Sequence, residues 1–299
     1  MLADAAAEAP MAVLVKDLVA LAKPRLSLLV FLTTGVGMYL APGSLGWGRG
    51  VVCLLATALV VGAANALNCY AERDVDALMH RTRSRPLPAR RMEPRVALLF
   101  GVALAVVSVV ALVLAANVLT GLFAAVATLL YLGVYTPLKR RTWFAVIVGA
   151  VPGAIPPLMG WTAVTGRIDP GAWALFALLF AWQLPHFLAI SLYLAEDYAR
   201  GGLPVLSVAY GPGMARRATV LTAMAFVPMS FLPVYTGTMG WGYALAAGIC
   251  GVYFVVLACG SLHRSDARRW ARAVFLGSIK CLSFLLLASV LEAWARGVF

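Results

Sequence analysis

Nine stretches of 17 to 21 residues, each nearly free of charge, recur at approximately 26–42, 50–68, 95–115, 117–136, 143–162, 172–192, 218–236, 242–261 and 274–294. No other feature restricts the fold so tightly. A helix of about 20 apolar residues crosses the hydrocarbon core of a bilayer, and in lipid the backbone has to satisfy its own hydrogen bonds. Composition agrees, because 63% hydrophobic and 12% charged residues with a mean hydropathy of +0.91 lie outside the range of water-soluble domains. The fold class expected is an all-α polytopic membrane protein with nine transmembrane helices in one bundle. Residues 1–22 read as a cytosolic lead-in and 23–299 as a single domain.

Orientation follows from the basic residues. Of 24 Lys and Arg, 20 fall in segments on one side: Lys16, Lys23 and Arg25, then seven Arg between Arg73 and Arg95, then Lys139 to Arg141, Arg200 with Arg216 and Arg217, and four Arg between Arg264 and Arg272. Only Arg49, Arg167 and Arg296 fall on the other side, and Lys280 lies within the last span. The positive-inside bias puts the N-terminus in the cytosol and the C-terminus outside. The net charge of +12 is then a cytosolic face facing anionic lipid. Nucleic acid is excluded as a partner, since no basic-aromatic soluble module is present. The N-terminus opens with acidic and small residues, which predicts neither a signal nor a transit peptide. The five cysteines form no CxxC pair and the three histidines no metal-ligating spacing, so a zinc site is not expected.

Polar residues are concentrated behind the second span, where residues 68–88 read NCYAERDVDALMHRTRSRPLP. If that helix continues, Asn68, Glu72 and Asp76 stand at i, i+4 and i+8 on one stripe, with Asn65 one turn earlier inside the apolar run. Asp74 points about 200° away from Glu72. One reading is a solvated helix end in which Glu72 and Asp76 pair with Arg73 or His80. The other is a cation site, because packed carboxylates repel and gain most from a cation between them. Magnesium suits hard oxygen ligands shared with a diphosphate. Arg81, Arg83, Arg85, Lys139 and Arg140 would then hold the outer phosphate oxygens. Pro86 and Pro88 are expected to end the helix and turn the loop back over the site.

Three further segments carry polar groups into the bilayer. After Pro185, His186, Tyr193 and Asp197 share a face of a continued helix, with Gln183 one turn before. The plain alternative for His186 is a helix-packing hydrogen bond. The fourth span ends with Tyr131, Tyr135, Lys139 and Arg140 at or near four-residue intervals, readable either as an interfacial belt or as a binding face. Pro152, Pro156 and Pro157 are expected to kink or break the fifth span and to line a cavity.

These segments, NCYAERDVDALMHRTRSRPLP, YTPLKRRT, AIPPLMGW and WQLPHFLAISLYLAEDYARGGLPVL, together resemble the UbiA-type intramembrane prenyltransferases, on their haem-modifying branch. The resemblance runs over nearly the whole chain. It implies a nine-helix bundle in a bacterial inner membrane with its active site facing the cytoplasm. The first acidic motif of the family maps onto Asn68, Glu72 and Asp76, with Glu where many members have Asp. Of the second motif only Asp197 matches, preceded by Tyr193; the position four residues on is Gly201.

The reaction implied is transfer of farnesyl from farnesyl diphosphate to a vinyl group of haem b, with addition of water. Mg²⁺ on Asn68, Glu72, Asp76 and Asp197 would be the cofactor, and Arg73, Arg81, Arg85, Lys139 and Arg140 would bind diphosphate. Tyr131, Tyr135, Phe187, Gln183 and His186 would form the haem and prenyl pocket, His186 touching either the iron or a propionate. Haem b and farnesyl diphosphate are the implied substrates, the bilayer the surroundings, and a downstream haem A synthase a partner. Competing readings are a quinone- or chlorin-directed prenyltransferase, a transporter, and a non-catalytic haem-handling subunit. Acids gathered at the mouth rather than at the midplane count against transport.

Overall fold

A computed structural model describes residues 3–260 and 266–297, without the side chains of residues 3–10 and Arg25. His263 and Arg264 lie outside the described residues. Every regular element among those described is helical. In chain order they are α1 (Ala3–Ala22), α2 (Pro24–Leu40), α3 (Trp47–Leu78), α4 (Pro94–Ala115) and α5 (Val118–Leu129). A π-helical turn (Leu130–Tyr135) leads to α6 (Thr136–Leu138) and α7 (Ala145–Thr165). Then follow α8 (Pro170–Tyr193), α9 (Ala195–Arg200), α10 (Leu206–Ala209), α11 (Gly211–Ser230), α12 (Leu232–Tyr235), α13 (Trp241–Cys259) and α14 (Ala267–Ala295).

Among the described residues, eight helical segments are long and apolar enough to cross a membrane. The expected first span corresponds to α2, whose 17 residues rise only about 26 Å and fall short of a ~30 Å core. It makes a ninth crossing only if it is joined to Met11–Ala22 across a bend of 52°. The fourth span is divided by the π-helical turn, and the sixth stops at Tyr193.

Apolar side chains on α7, α8, α11, α13 and α14 meet in one core that contains Trp182, Phe226, Tyr243, Phe254 and Trp270. Leu, Val and Ile on the outer faces of α4, α5, α13 and α14 are exposed, as a lipid-facing surface requires. Where lipid supplies no hydrophobic drive between helices, close backbone approach does the packing. A Cβ on Gly37 would lie 2.2 Å from the Pro157 carbonyl oxygen, and one on Gly160 would lie 2.1 Å from that of Thr34. Helices α2 and α7 therefore touch backbone to backbone. The three prolines of α7 do not break it. The helix runs unbroken over Ala145–Thr165 with Pro152, Pro156 and Pro157 all buried, packed between α2 and α8.

At 32 residues, α3 rises about 48 Å, so its last third reaches beyond any hydrocarbon core. The chain after it folds back as the two prolines require. Thr82, Pro86, Leu87 and Met92 are buried, and Leu87 and Met92 pack with Leu21, Ala66, Cys69 and Ala97. Arg91 clamps this loop to α1 through both oxygens of Asp17, at 3.0 and 3.2 Å.

Candidate active site

The stripe on α3 is buried along its length. Asn65, Asn68, Glu72 and Asp76 are 6%, 3%, 4% and 1% exposed. Each polar group that water has left needs a partner, and the partners come from three different parts of the chain.

Asn65 reaches the Ala22 carbonyl with a long bond of 3.5 Å, which fixes the break between α1 and α2. Asn68 donates through Nδ2 to Thr136 Oγ1 at 3.2 Å, and Thr136 donates in turn to the Tyr131 carbonyl at 2.8 Å. That carbonyl belongs to the π-helical turn, a widened turn of the kind that recurs at functional sites. Glu72 Oε2 pairs with Lys139 Nζ at 2.5 Å. Glu72 Oε1 has no hydrogen-bond partner although it is buried. Asp76 Oδ2 pairs with Arg85 Nη1 at 2.6 Å, and the Asp76 carbonyl accepts from Thr82 Oγ1.

Asp197 reaches the same mouth from the other side. Its two carboxylate oxygens accept the backbone N–H groups of His80 and Arg81, both at 3.1 Å, and Arg200 lies 3.3 Å away. Burial pushes this carboxyl up, but the Arg81 and His80 amides and the Arg200 charge outweigh burial and hold it below its ordinary value. Both acidic motifs thus converge on the turn that follows α3. Where the second motif lacks its acid the space is tight: a Cβ at Gly201 would stand 3.1 to 3.2 Å from Met79 and Val75 side-chain atoms, which would have to give by a few tenths of an ångström.

The structure brings some expected residues to this mouth and leaves others elsewhere. Tyr131 and Tyr135 stack with centroids 5.3 Å apart, and Lys139 Nζ lies 5.3 Å from the Tyr135 ring. The Arg81 side chain is exposed at the rim. Arg140 is spent on the Ala71 carbonyl at 2.7 Å. Arg73 bonds the Tyr70 carbonyl, lies over the Tyr70 ring and approaches Asp74 at 3.9 Å, on the side of α3 away from the stripe. Asp74 is exposed, as its angle on the helix predicts. Neither Arg73 nor His80 pairs with Glu72 or Asp76; their cations are Lys139 and Arg85.

The shared face of His186, Tyr193 and Asp197 on one helix is not what forms. Helix α8 ends at Tyr193, Leu194 leaves helical geometry, and Asp197 sits on the separate α9. Tyr193 lies under Arg268 at 5.4 Å. Gln183 turns to α7, bonding the Ala150 carbonyl at 3.2 Å in space left by Gly153. His186 turns to α14, with Nδ1 2.7 Å from Ser278 Oγ, and Phe187 meets its ring edge-on at 5.5 Å.

Lys23, which the sequence places only among the topology-setting charges, is within electrostatic reach of Asp76, Arg85 and Lys139. It caps α2 in the left-handed region at φ 50°, with no side-chain cap bond. A cation at a helix N-terminus and a non-glycine residue at positive φ are both unfavourable. The one sequence signal was Lys followed by Pro24 at the entry to a span.

Among the described residues no three Asp, Glu, His or Cys side chains come close enough to hold a metal ion together. The carboxylates are instead neutralised singly, by Lys139, Arg85 and Arg200. What the arrangement offers chemically is a buried, oxygen-rich stripe facing a convergence of cations, with one carboxylate oxygen unclaimed.

Comparison with known proteins is consistent with this arrangement. The sequence model of the UbiA prenyltransferase family matches residues 30–279. The protoheme IX farnesyltransferase of Anaeromyxobacter dehalogenans is 55% identical over 277 residues, 93% of this chain and 94% of that relative. The protein of the same name from Myxococcus xanthus is 50% identical over 94% of this chain and 95% of its own. Among solved structures, a digeranylgeranylglyceryl phosphate synthase superposes with a TM-score of 0.77 at 16% identity, covering 93% of this chain and 98% of its own. A UbiA homologue from Archaeoglobus fulgidus bound to DMAPP and Mg²⁺ superposes with a TM-score of 0.62 at 16% identity, covering 91% and 98%. These two show the fold. Through the matched family model and relatives at half identity over nine-tenths of its length, the chain belongs to the UbiA prenyltransferase family, in the group whose members are named protoheme IX farnesyltransferase.

Proposed function

We propose that the chain transfers the farnesyl group of farnesyl diphosphate to a vinyl group of haem b, with addition of water, giving haem O and diphosphate. The reaction takes place at the cytoplasmic side of a bacterial cell membrane and supplies a downstream haem A synthase. The observation that carries this reading is the α3 stripe, in which two buried carboxylates each hold a single cation at the end of a membrane-crossing helix. The names of the relatives supply the substrate pair.

Magnesium fits the donors present. They are hard oxygens, and Glu72 Oε1 is a buried carboxylate oxygen with no partner, an expensive feature unless a cation completes it. Asn68, Glu72, Asp76 and Asp197 would hold the ion. When bound, it supplies positive charge to the diphosphate as the allylic C–O bond breaks.

The rest falls to side chains. With Glu72 and Asp76 holding the ion, Lys139 and Arg85 would be available for phosphate oxygens, with Arg81 at the rim. Arg140 instead ties its segment to α3 through the Ala71 carbonyl, and Arg73 is held on its own helix by the Tyr70 carbonyl. The stacked rings of Tyr131 and Tyr135 offer π faces to the allylic cation. The vinyl group attacks that cation through its terminal carbon; water adds to the carbon next to the porphyrin, and its proton leaves with diphosphate. No protein nucleophile is required.

The acceptor is tested by offering membranes containing the protein either haem b or a quinone precursor, with farnesyl diphosphate and Mg²⁺. A farnesylated haem of the expected mass is predicted, and a prenylated quinone with unaltered haem would refute the assignment.

A further inference from the structure

Ser278 on α14 makes two short contacts. Its Oγ donates to the Phe275 carbonyl at 2.7 Å, and the same Oγ lies 2.7 Å from His186 Nδ1. A hydroxyl has one proton. Two oxygens 2.7 Å apart need that proton between them, since their lone pairs would otherwise repel. Ser278 Oγ can then only accept from His186, so the histidine proton is on Nδ1.

The surroundings keep the ring neutral and fixed. Trp182 stacks on it at 4.6 Å, Phe275 lies at 4.9 Å and Phe187 at 5.5 Å. No carboxylate among the described residues pairs with it, so nothing in contact stabilises a second proton. The Trp182 indole N–H bonds the Ser278 carbonyl at 2.6 Å, locking α8 to α14 at this level. Nε2 makes no hydrogen bond among the described residues, yet it is not one of the buried polar atoms without a partner. It is therefore not fully occluded, and no protein donor among the described residues claims its lone pair.

We infer that Ser278 is a positioning residue which holds His186 in the Nδ1–H tautomer, so that Nε2 serves as an axial ligand to the iron of the haem acceptor. This inference rests on the proposed function for its choice of ligand. A neutral imidazole in this tautomer has nothing to donate at Nε2. It repels a propionate carboxylate and binds a metal, and a hydrogen-bond acceptor on the other nitrogen is the usual companion of a ligating histidine. His186 lies seven residues before Tyr193, about 10 Å of helix rise from the end of α8.

The test uses the full-length protein in detergent, without prenyl diphosphate, and reads the nitrogens and the haem separately. Histidine ¹⁵N spectra are simple here, because the chain has three histidines and His186→Ala assigns the signal. In haem-free protein, His186 is expected to show a protonated Nδ1 and a bare Nε2; a proton on Nε2 overturns the inference. On titration with haem b, wild type should give the spectrum of a histidine-ligated haem. His186→Ala should lose it, Ser278→Ala should weaken binding about 10- to 100-fold, and Ser278→Thr, which returns a hydroxyl, should recover most of it. Equal affinity and an unchanged spectrum in Ser278→Ala would remove the positioning role. Histidine ligation without any farnesylated product on adding farnesyl diphosphate and Mg²⁺ would leave this inference standing and refute the proposed function. Wild-type product from His186→Ala with an unaltered haem spectrum would do the reverse.

Discussion

Glu72 holds Lys139 through one oxygen and leaves the other without a partner. Both members of the pair are largely withdrawn from water, at 6% and 20% side-chain exposure, so removing one strands the other. Lys139→Met is expected to destabilise the protein by about 3 to 5 kcal/mol. The double variant with Glu72→Gln should recover most of that loss, read by thermal unfolding in one detergent. Additive losses would mean that the pair is not a unit. The stripe itself was legible, because acids at four-residue intervals continuing an apolar run can only share one face. The partners were not: Lys139 lies 67 residues away from Glu72, and no local pattern announces such a pair. Lys23 shows the opposite failure, since the residue before a proline is biased to extended backbone, yet this one is left-handed.

At the scale of elements, the decisive feature is the join between the two acidic segments. Asp197 caps the turn after α3 by accepting from His80 and Arg81, and this replaces the continuous helix that the spacing of His186, Tyr193 and Asp197 suggested. Nothing in the sequence Leu194–Ala195–Glu196 breaks a helix, so the break is tertiary in origin. Because the native carboxyl is held below its ordinary value, the stabilisation is complete above the unfolded value of about 3.9 and is lost as pH falls through the native value. The tether should therefore be indifferent to pH around neutrality and weaken only in acid below about pH 4. Asp197→Asn, with one acceptor oxygen for two amides, should lower hydrogen-exchange protection at His80 or Arg81 at neutral pH; protection equal to wild type would show that the cap is dispensable. Proline was the other misleading signal. Three prolines in α7 predicted a break, but burial against α2, where Gly37 admits the Pro157 carbonyl, keeps the helix whole.

For the whole molecule, apolar run length made the membrane bundle legible, while the number of crossings depends on a single bend at Lys23. If α1 and α2 together make one crossing, the termini would lie on opposite sides, and the positive-inside bias would put the N-terminus in the cytosol. A reporter fused to the C-terminus should then be active only outside the cytosol; activity in the cytosol would reduce the crossings to eight. The same bundle sets up a linkage. Under the proposed function, magnesium and diphosphate would each claim one half of the Glu72–Lys139 and Asp76–Arg85 pairs, so each should bind weakly alone and promote the other. The most direct measurement of the central claim is farnesyl transfer to haem b by the purified protein, followed by mass. Product from wild type should vanish with EDTA and fall by on the order of 10²-fold in Asp76→Asn. Undiminished product in that variant, or product insensitive to EDTA, would contradict the assignment of the α3 stripe as the site.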